Sequence, residues 1–522
     1  MLSRRRLLAA AGVVLFGGPL LASCSAPGRG ELTGRLLESE AALPEPYQVP
    51  LTVPPVARPV RQDDTTDYYE LVQREADVEI LPGLTTTIWG YDGIFPGPTI
   101  VSRSGRRTVV RHRNLLRVPT VVHLHGGRTP ADSDGYPTDL VLPLAGDHSG
   151  EHGDMGGRLA RGERDYVYPL DQRAATLWYH DHRMDFTGPQ VWRGLAGLHI
   201  VTDDEEDALP LPRGDHDLPL MICDRAFDAD GALRYPSRDP NLLGGTPGVD
   251  EDYLDGALGD VILVNGRPWP VLDVDATRYR FRILNASNAR RYELALEPER
   301  DEAPFVQIGS DGGLLGAPVR HRTLPIAQAE RFDVVIDFSG VAVGTELTMT
   351  NLLGDGPTAD VMRFRVARPG PVPEPPPLPE RLADMTAFDD LVEESATRTR
   401  TFDFEQGDER DGMRMWTVNG EVFDPGRVDA DPEVGDIEIW ELTSDPAHPV
   451  HVHQVPFKVL SRESGDGRPR PTDAGWKDTI DLTDGERARI LLRFDGYPGR
   501  YVFHCHNLEH EDMAMMANLE LR

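Results

Sequence analysis

Cysteine is nearly absent. Cys24, Cys223 and Cys505 are the three thiols in 522 residues, too few to staple a fold with disulfides. Lysine is rarer still, represented by Lys458 and Lys477, so almost all positive charge is arginine. Positive charge as a whole is in deficit: Lys plus Arg total 54 against 86 for Asp plus Glu, a formal net charge of −32. That balance argues against a chain built to neutralise nucleic-acid phosphates. After Ala22 no apolar run is long enough to span a bilayer, which takes about 20 residues. Long amphipathic helical patterns are also scarce.

What is present has the balance of a globular protein, 39% hydrophobic and 27% charged. At roughly 100–200 residues per domain, the length predicts about three domains. Residues 1–26 read as an export signal. Arg4, Arg5 and Arg6 precede an apolar stretch from Leu7 to Ala22 that is short for a membrane span and is broken by Gly12, Gly17, Gly18 and Pro19. Ser3-Arg4-Arg5-Arg6-Leu7-Leu8 resembles the twin-arginine type. Leu21-Ala22-Ser23-Cys24 resembles a lipobox, in which Cys24 becomes a lipidated N-terminus. Plain cleavage near Ala22 or Ala26 is the alternative. The expected location is extracytoplasmic, as a membrane-anchored lipoprotein or else as a secreted or periplasmic protein.

Residues 27–60, rich in Pro and polar groups, read as a tether and lead-in. Seven prolines between Pro369 and Pro379 favour extended polyproline geometry and mark a linker at 369–384. Elsewhere, short alternating runs bounded by Gly, Pro, Asp and Asn give an all-β pattern. Tyr279-Arg280-Phe281-Arg282-Ile283-Leu284 alternates with period two. Val261-Ile262-Leu263-Val264-Asn265-Gly266 is echoed by Trp416-Thr417-Val418-Asn419-Gly420 and, more loosely, by Trp89-Gly90-Tyr91-Asp92-Gly93. Each copy is followed by a strand ending in a leucine, Leu115, Leu284 or Leu442. Eight or nine residues later the first copy has His123-Leu124-His125 and the third has His451-Val452-His453, where the middle copy has Glu293-Leu294-Ala295. Three related β-sandwich units are expected, at 61–205, 206–368 and 385–522, the middle one without the histidines.

Of the 16 histidines, ten fall in four clusters: His123/His125, His180/His182, His448/His451/His453 and His504/His506/His510. On a strand, residues i and i+2 share a face about 7 Å apart, so a His-x-His pair can serve two different metal ions. Four pairs supply eight imidazoles. Eight divides as three, three and two, which suits a cluster of three copper ions between the first and third units. Cys505, between His504 and His506, points to the opposite face. A thiolate, two imidazoles and a weak axial thioether make a blue-copper set, supplied by His448, Cys505, His510 and Met515. One peptide unit on either side of Cys505 then joins the two sites. Dioxygen needs four electrons to become water, and four coppers can hold one each. Cys223, in an apolar run, is expected in the core.

The four motifs His123-Leu124-His125-Gly126-Gly127, Trp178-Tyr179-His180-Asp181-His182, His448-Pro449-Val450-His451-Val452-His453 and His504-Cys505-His506 through His510, with Met515, resemble those of the multicopper oxidases with three cupredoxin domains. Within that family the resemblance is to bilirubin oxidase and the bacterial spore-coat laccase, over residues 50–522. Ser133-Asp134-Gly135, Gly309-Ser310-Asp311-Gly312-Gly313-Leu314-Leu315 and Ala329-Glu330-Arg331-Phe332-Asp333 extend it. The resemblance implies three cupredoxin-like Greek-key β-sandwiches and four copper ions. It assigns a type 2 copper to His123 and His451. It assigns one type 3 copper to His125, His180 and His506, and the other to His182, His453 and His504. The type 1 copper keeps Met515 as its axial ligand, although Met513 and Met516 flank it. Acids at the places of Asp134 and Glu511 relay protons in similar oxidases; the plainer reading is a solvated acid or one that hydrogen-bonds a ligand imidazole. The stretch from Thr129 to Arg164, with Asp132, Asp134, Asp139, Asp147, His148, Glu151, His152 and Asp154, reads as a solvated acidic loop, with a weak metal-delivery site as the alternative.

The implied activity is a copper-dependent oxidase. It takes single electrons from aromatic donors such as phenols, aromatic amines or tetrapyrroles and reduces dioxygen to water. Two alternatives stand beside it: a metallo-oxidase for copper(I) or manganese(II), or a non-catalytic copper-binding or resistance protein. The 12 methionines form no Met-rich insertion. An acidic or Met-rich site beside the blue copper would favour the metallo-oxidase.

Overall fold

The computed structural model describes residues 34–145, 156–300, 302–371, 376–410 and 413–522. The export signal, Cys24, His148 and His152 lie outside the described residues. Strands dominate, and they assemble into six sheets of four to eight strands plus two short pairs. The sheets come in three pairs, each from one contiguous stretch of chain.

The first pair holds Thr66–Val78, Arg107–Asn114 and Glu163–Tyr168 in one sheet. Its other sheet runs Gly97–Arg103, Ala196–Thr202, Ala175–Asp181, Val122–His125. The third pair repeats the plan. Arg398–Arg410, Ile437–Asp445 and Arg487–Arg493 lie in one sheet; Thr479–Leu482, His448–Val452, Gly499–Cys505 and Met516–Leu521 form the other. The middle pair is built around Asp217–Phe227, Arg278–Asn285 and Arg331–Asp337, faced by Asp360–Pro369, Glu346–Asn351 and Tyr292–Glu297. Apolar residues alternate into three separate cores, and Cys223 is fully buried in the middle one. No helix among the described residues is long and apolar enough to cross a membrane.

Two connecting stretches pack against the body. From Gly34 the lead-in is laid on the body. Arg35–Leu37 pairs in parallel with Ala257–Gly259, Pro50 bridges to Val271, and Leu37 and Ala41 are buried. The segment after the prolines also packs, with Leu382 and Ala383 buried against Leu211, Ile308 and Leu315. In both cases a few apolar side chains in a polar stretch suffice to anchor it. The acidic loop reading is corrected. Asp134 and Asp139 are buried, Asp139 in an ion pair with Arg164 at 3.0 Å.

Candidate metal centre

Strand register brings the histidine pairs together. In the first sandwich His180 stands opposite His123 and Trp178 opposite His125. In the third, His451 stands opposite His504 and Val450 opposite Cys505. Side chains directly opposite across a ladder lie about 5 Å apart, so each sheet presents a patch of imidazoles, and the two patches face each other. His123 stacks on His453 with ring centroids 3.8 Å apart, and His125 on His451 at 3.6 Å.

Hydrogen bonds at one ring nitrogen decide which nitrogen is left to bind. His123 Nδ1–H donates to the Asp134 carbonyl (2.6 Å), His451 Nδ1–H to the Asp478 carbonyl (2.8 Å) and His180 Nδ1–H to the Asp181 carbonyl (2.8 Å). Their Nε2 atoms are buried without any partner. His125 is turned the other way. Its Nε2–H donates to Asp478 Oδ1 (3.1 Å) and Thr479 Oγ1 (3.2 Å), leaving Nδ1 orphaned. His453 Nδ1–H donates to Asp134 Oδ2 (2.7 Å) and His504 Nδ1–H to the Cys505 carbonyl (3.0 Å). The Nε2 atoms of His182 and His453 lie 3.3 and 3.2 Å from that of His504.

Three groups made of imidazoles alone result, each with all donor atoms within 4.8 Å, His123/His125/His451, His125/His180/His506 and His182/His453/His504, and Asp134 makes a further one with His123 and His453. Burial lowers the His180 imidazole to about 4 and that of His451 to about 3, so both rings are neutral with a lone pair to offer. Buried orphan lone pairs aimed at a common point are costly unless a cation sits there, and neutral imidazoles suit copper. The donor set therefore fits copper.

A separate group is His448, Cys505 and His510. Cys505 Sγ lies 3.4 Å from His448 Nδ1 and 3.7 Å from His510 Nδ1. Burial pushes the Cys505 thiol well up, so its thiolate needs a cation beside it. The Asn507 backbone N–H donates to Sγ (3.3 Å). Met515 is fully buried in the same core as Cys505, and its carbonyl accepts the Cys505 N–H. Met513 shares that core, whereas Met516 packs with Tyr136 and Phe423 in another.

Both acids singled out from the sequence stand beside histidines. Burial raises Asp134 to about 8. Glu511 lies with its two oxygens 3.2 Å from Nδ1 of His182 and of His504. Its Oε1 accepts from Thr187 Oγ1–H at 2.6 Å.

Sequence reasoning missed several positioning groups. Asp478, which takes His125, is fixed by Arg331 of the middle sandwich, whose Nη1–H donates to Oδ1 at 2.6 Å. Lys477 beside it is fully buried between Asp311 and Glu330, 2.9 Å from each. One of two lysines in the whole chain, adjacent to an aspartate, was the available signal. Trp416, quoted only as a repeat marker, stacks on His510 at 3.9 Å and donates Nε1–H to the Leu254 carbonyl. The Asp255 carbonyl lies 3.2 Å from His510 Nε2. The middle sandwich thus carries no ligand yet braces both sites.

Paired β-sandwiches bearing a cysteine–histidine site next to a buried cage of neutral imidazoles define a copper-dependent oxidase. Comparison with known proteins agrees. Family models described as multicopper oxidase match residues 73–146 with 159–206, and residues 394–522. The chain is 38% identical to a laccase of Bacillus stratosphericus, covering 90% of this chain and 98% of the relative. It is 36% identical to the bilirubin oxidase of Albifimbria verrucaria, covering 98% and 88%. The crystal structure of the multicopper oxidase from Pediococcus acidilactici superposes with a TM-score of 0.77 at 32% identity, covering 94% and 93%. The chain belongs to the multicopper oxidase family. Its substrates are a small-molecule electron donor and dioxygen.

Proposed function

We propose that this chain is a laccase-like oxidase of three cupredoxin domains, at 61–205, 206–368 and 385–522, that binds four copper ions. His448, Cys505, His510 and Met515 would hold the type 1 ion, His123 and His451 the type 2 ion. His125, His180 and His506 would hold one type 3 ion, and His182, His453 and His504 the other. Bound there, copper supplies four one-electron reductions, the number that takes dioxygen to two waters. The donor is an electron-rich aromatic: a phenol, an aromatic amine or a tetrapyrrole. The chain's own residues do the rest. Trp416 and the Asp255 carbonyl orient His510 at the edge where an electron enters. The backbone of His504, Cys505 and His506 links that edge to the cage. Asp134, whose Oδ2 takes the His453 Nδ1–H, and Glu511, beside the His182/His504 pair, relay protons to the cage.

The observation that carries this reading is the set of orphaned ring nitrogens, of which those of His123, His125, His180 and His451 are each fixed by a hydrogen bond at the opposite nitrogen of the ring. A copper carrier has no use for such a cage. The test is the absorption spectrum of copper-loaded protein followed by dioxygen uptake with 2,6-dimethoxyphenol. Blue charge-transfer absorption with uptake and no peroxide release is expected. A blue protein without uptake would leave only electron transfer or storage.

One feature favours the second reading, a metallo-oxidase for copper(I) or manganese(II). A groove of about 780 Å³ beside Leu254 and Asp255 is lined by Asp250, Glu251, Asp252, Asp255, Asp408 and Glu409 against Arg238 and Arg414. Manganese(II) oxidation that exceeds phenol oxidation, and that falls in Glu251→Gln, would select it. Export by the Arg4-Arg5 signal and lipidation at Cys24 complete the proposal; mass spectrometry of the mature N-terminus tests both.

A further inference from the structure

The middle sandwich reaches the cysteine–histidine group through residues 288–291. The Asn288 carbonyl accepts the Leu508 N–H at 3.1 Å, and Asn288 Nδ2–H donates to Glu509 Oε1 at 3.0 Å. Leu508 and Glu509 lie on the short return from Cys505 to His510. A little further along the chain, Arg291 Nε–H donates to Asp481 Oδ1 at 2.8 Å. Asp481 stands opposite Pro449 in the ladder, beside the pair of His448 and Leu482. The Pro449 carbonyl takes the His506 N–H at 2.7 Å. An ion pair between the middle and third sandwiches thus flanks the backbone that joins His448 to the cage. Its partners are not equally dry: the Arg291 side chain is 7% exposed and that of Asp481 17%. Solvent screens exposed charge more than buried charge, so the guanidinium is the less screened of the two. As a source of stability such a pair is weak, because desolvation offsets its attraction. Its charge does reach the ligands. Burial is the main reason the His448 imidazole lies near 3, and Arg291 pushes it the same way. At His510, Arg291 adds to burial and to the neighbouring His448. At Cys505 burial opposes the thiolate, the Asn507 N–H and then Arg291 favour it, and Asp481 opposes it more weakly than Arg291 favours it.

We propose that Arg291 raises the reduction potential of the site at His448, Cys505 and His510, with Asp481 as its moderating partner. The proposal deepens the oxidase reading and rests on that group holding a one-electron copper. Taking one electron from the donor lowers the positive charge of the site by one. The donor is left one electron short, a phenol releasing its proton to water. A fixed cation nearby repels the more positive, oxidised state more strongly than the reduced one. Arg291 thereby favours the reduced state and makes the site the stronger oxidant. It is not a ligand and acts through its field. The effect is on donor range: donors whose own potential lies close to that of the site depend on Arg291, and easily oxidised donors do not. The middle sandwich has no ligand to give, and this charge is its contribution to electron entry.

The test is a potentiometric titration of the blue absorption in the copper-loaded full chain, kept anaerobic so that turnover plays no part. Arg291→Gln leaves Asp481 without its cation. It should move the equilibrium on the order of tenfold toward the oxidised form, a fall of about 59 mV for a one-electron couple. Asp481→Asn leaves the cation uncompensated and should move the potential the opposite way. Arg291→Lys keeps the charge and should stay close to the parent. The blue band should hold its position in all three, because the ligands are untouched. Opposite signs are what a field produces; loosened packing moves both variants one way and shifts the band. Shifts of one sign, unshifted potentials, or a lysine variant that behaves like the glutamine one would overturn the proposal. If Arg291→Gln folds poorly, Asp481→Asn, at the more exposed end of the pair, decides alone: a rise supports the proposal, and a fall or no change overturns it. A copper-loaded parent without a blue band would overturn the copper reading and this proposal with it, whereas a blue parent with unmoved variants would overturn this proposal alone.

Discussion

Glu511 depends on a single hydroxyl. Among the described residues Thr187 Oγ1–H is the one hydrogen-bond donor to its side chain, at 2.6 Å, while Oε2 makes no hydrogen bond and has only the charge contact with His504 Nδ1 at 3.2 Å. The carboxyl is therefore free to swing away from His182 and His504 once that bond is gone. Thr187→Val keeps the volume and removes the hydroxyl. Turnover at saturating donor should fall about tenfold, while anaerobic bleaching of the blue centre by the donor stays unchanged; Thr187→Ser should restore turnover. Equal slowing of bleaching would make Thr187 merely structural. Asp134 makes a parallel case with two functions in one residue. Its carbonyl takes His123 Nδ1–H and its Oδ2 takes His453 Nδ1–H. Asp134→Asn preserves the first contact and the shape of the second, but cannot hold a transferable proton. Reoxidation by dioxygen should slow with the blue absorption intact, as read by stopped-flow. Loss of the blue band would instead mark a structural role.

A four-residue helix, Asp204–Asp207, joins the first sandwich to the second, and its Glu206 is its anchor. The carboxylate accepts from Arg280 Nη1–H and Arg282 Nη2–H, both at 2.9 Å. Burial opposes ionisation of Glu206, but the two guanidinium groups outweigh it and hold the carboxyl down to about 2. A depressed folded-state value stabilises above the unfolded value, near 4.5, and the gain is lost as pH falls through about 2. Glu206→Gln should therefore cost on the order of 3 kcal/mol at neutral pH. The gap to the parent should close between about pH 4.5 and pH 2, read from denaturant midpoints at several pH values. A gap independent of pH would mean that Glu206 acts by packing. The same strand marks how far the sequence could be read. Alternation of Tyr279, Phe281 and Ile283 with Arg280 and Arg282 announces the strand Arg278–Asn285. It cannot tell that the arginine face is dry, with Arg280 and Arg282 1% and 2% exposed. Period two identifies a polar face, not what covers it. The His-x-His pairs were legible for the same reason, because i and i+2 share a face whatever lies opposite. Asp478 with Arg331 was not, since 147 positions separate them and the stretch Ala329-Glu330-Arg331-Phe332-Asp333, which extends the resemblance, carries no spacing that points to Asp478. Asp134 was visible as a candidate but not as a buried one, because a loop rich in Asp and Gly has a solvated composition.

The whole chain is an anion of formal charge −32, and its field is not spread evenly over the two openings. A cleft beside the cage, bordered by Asp478, is balanced in arginine and aspartate, whereas the groove bordering His510 through Asp255 carries six carboxylates against two arginines. Donors that enter there are sorted by charge before any contact is made. Clefts of one sign focus the field and raise the local concentration of the opposite ion. The Debye length falls from about 30 Å at 0.01 M salt to about 8 Å at 0.15 M, so the sorting should be visible as a salt effect. For a trimethylammonium-bearing aniline, kcat/KM should fall on the order of tenfold across that range; for a sulfonated phenol it should rise. The two lines should converge at high salt, where only the redox chemistry remains. Glu251→Gln combined with Asp408→Asn, both at the groove and clear of every ligand, should flatten both dependences and leave the neutral donor 2,6-dimethoxyphenol untouched. Parallel salt dependences for the two charged donors would place electron entry away from this groove, because a site bordered by His510 and Asp255 cannot escape its carboxylates.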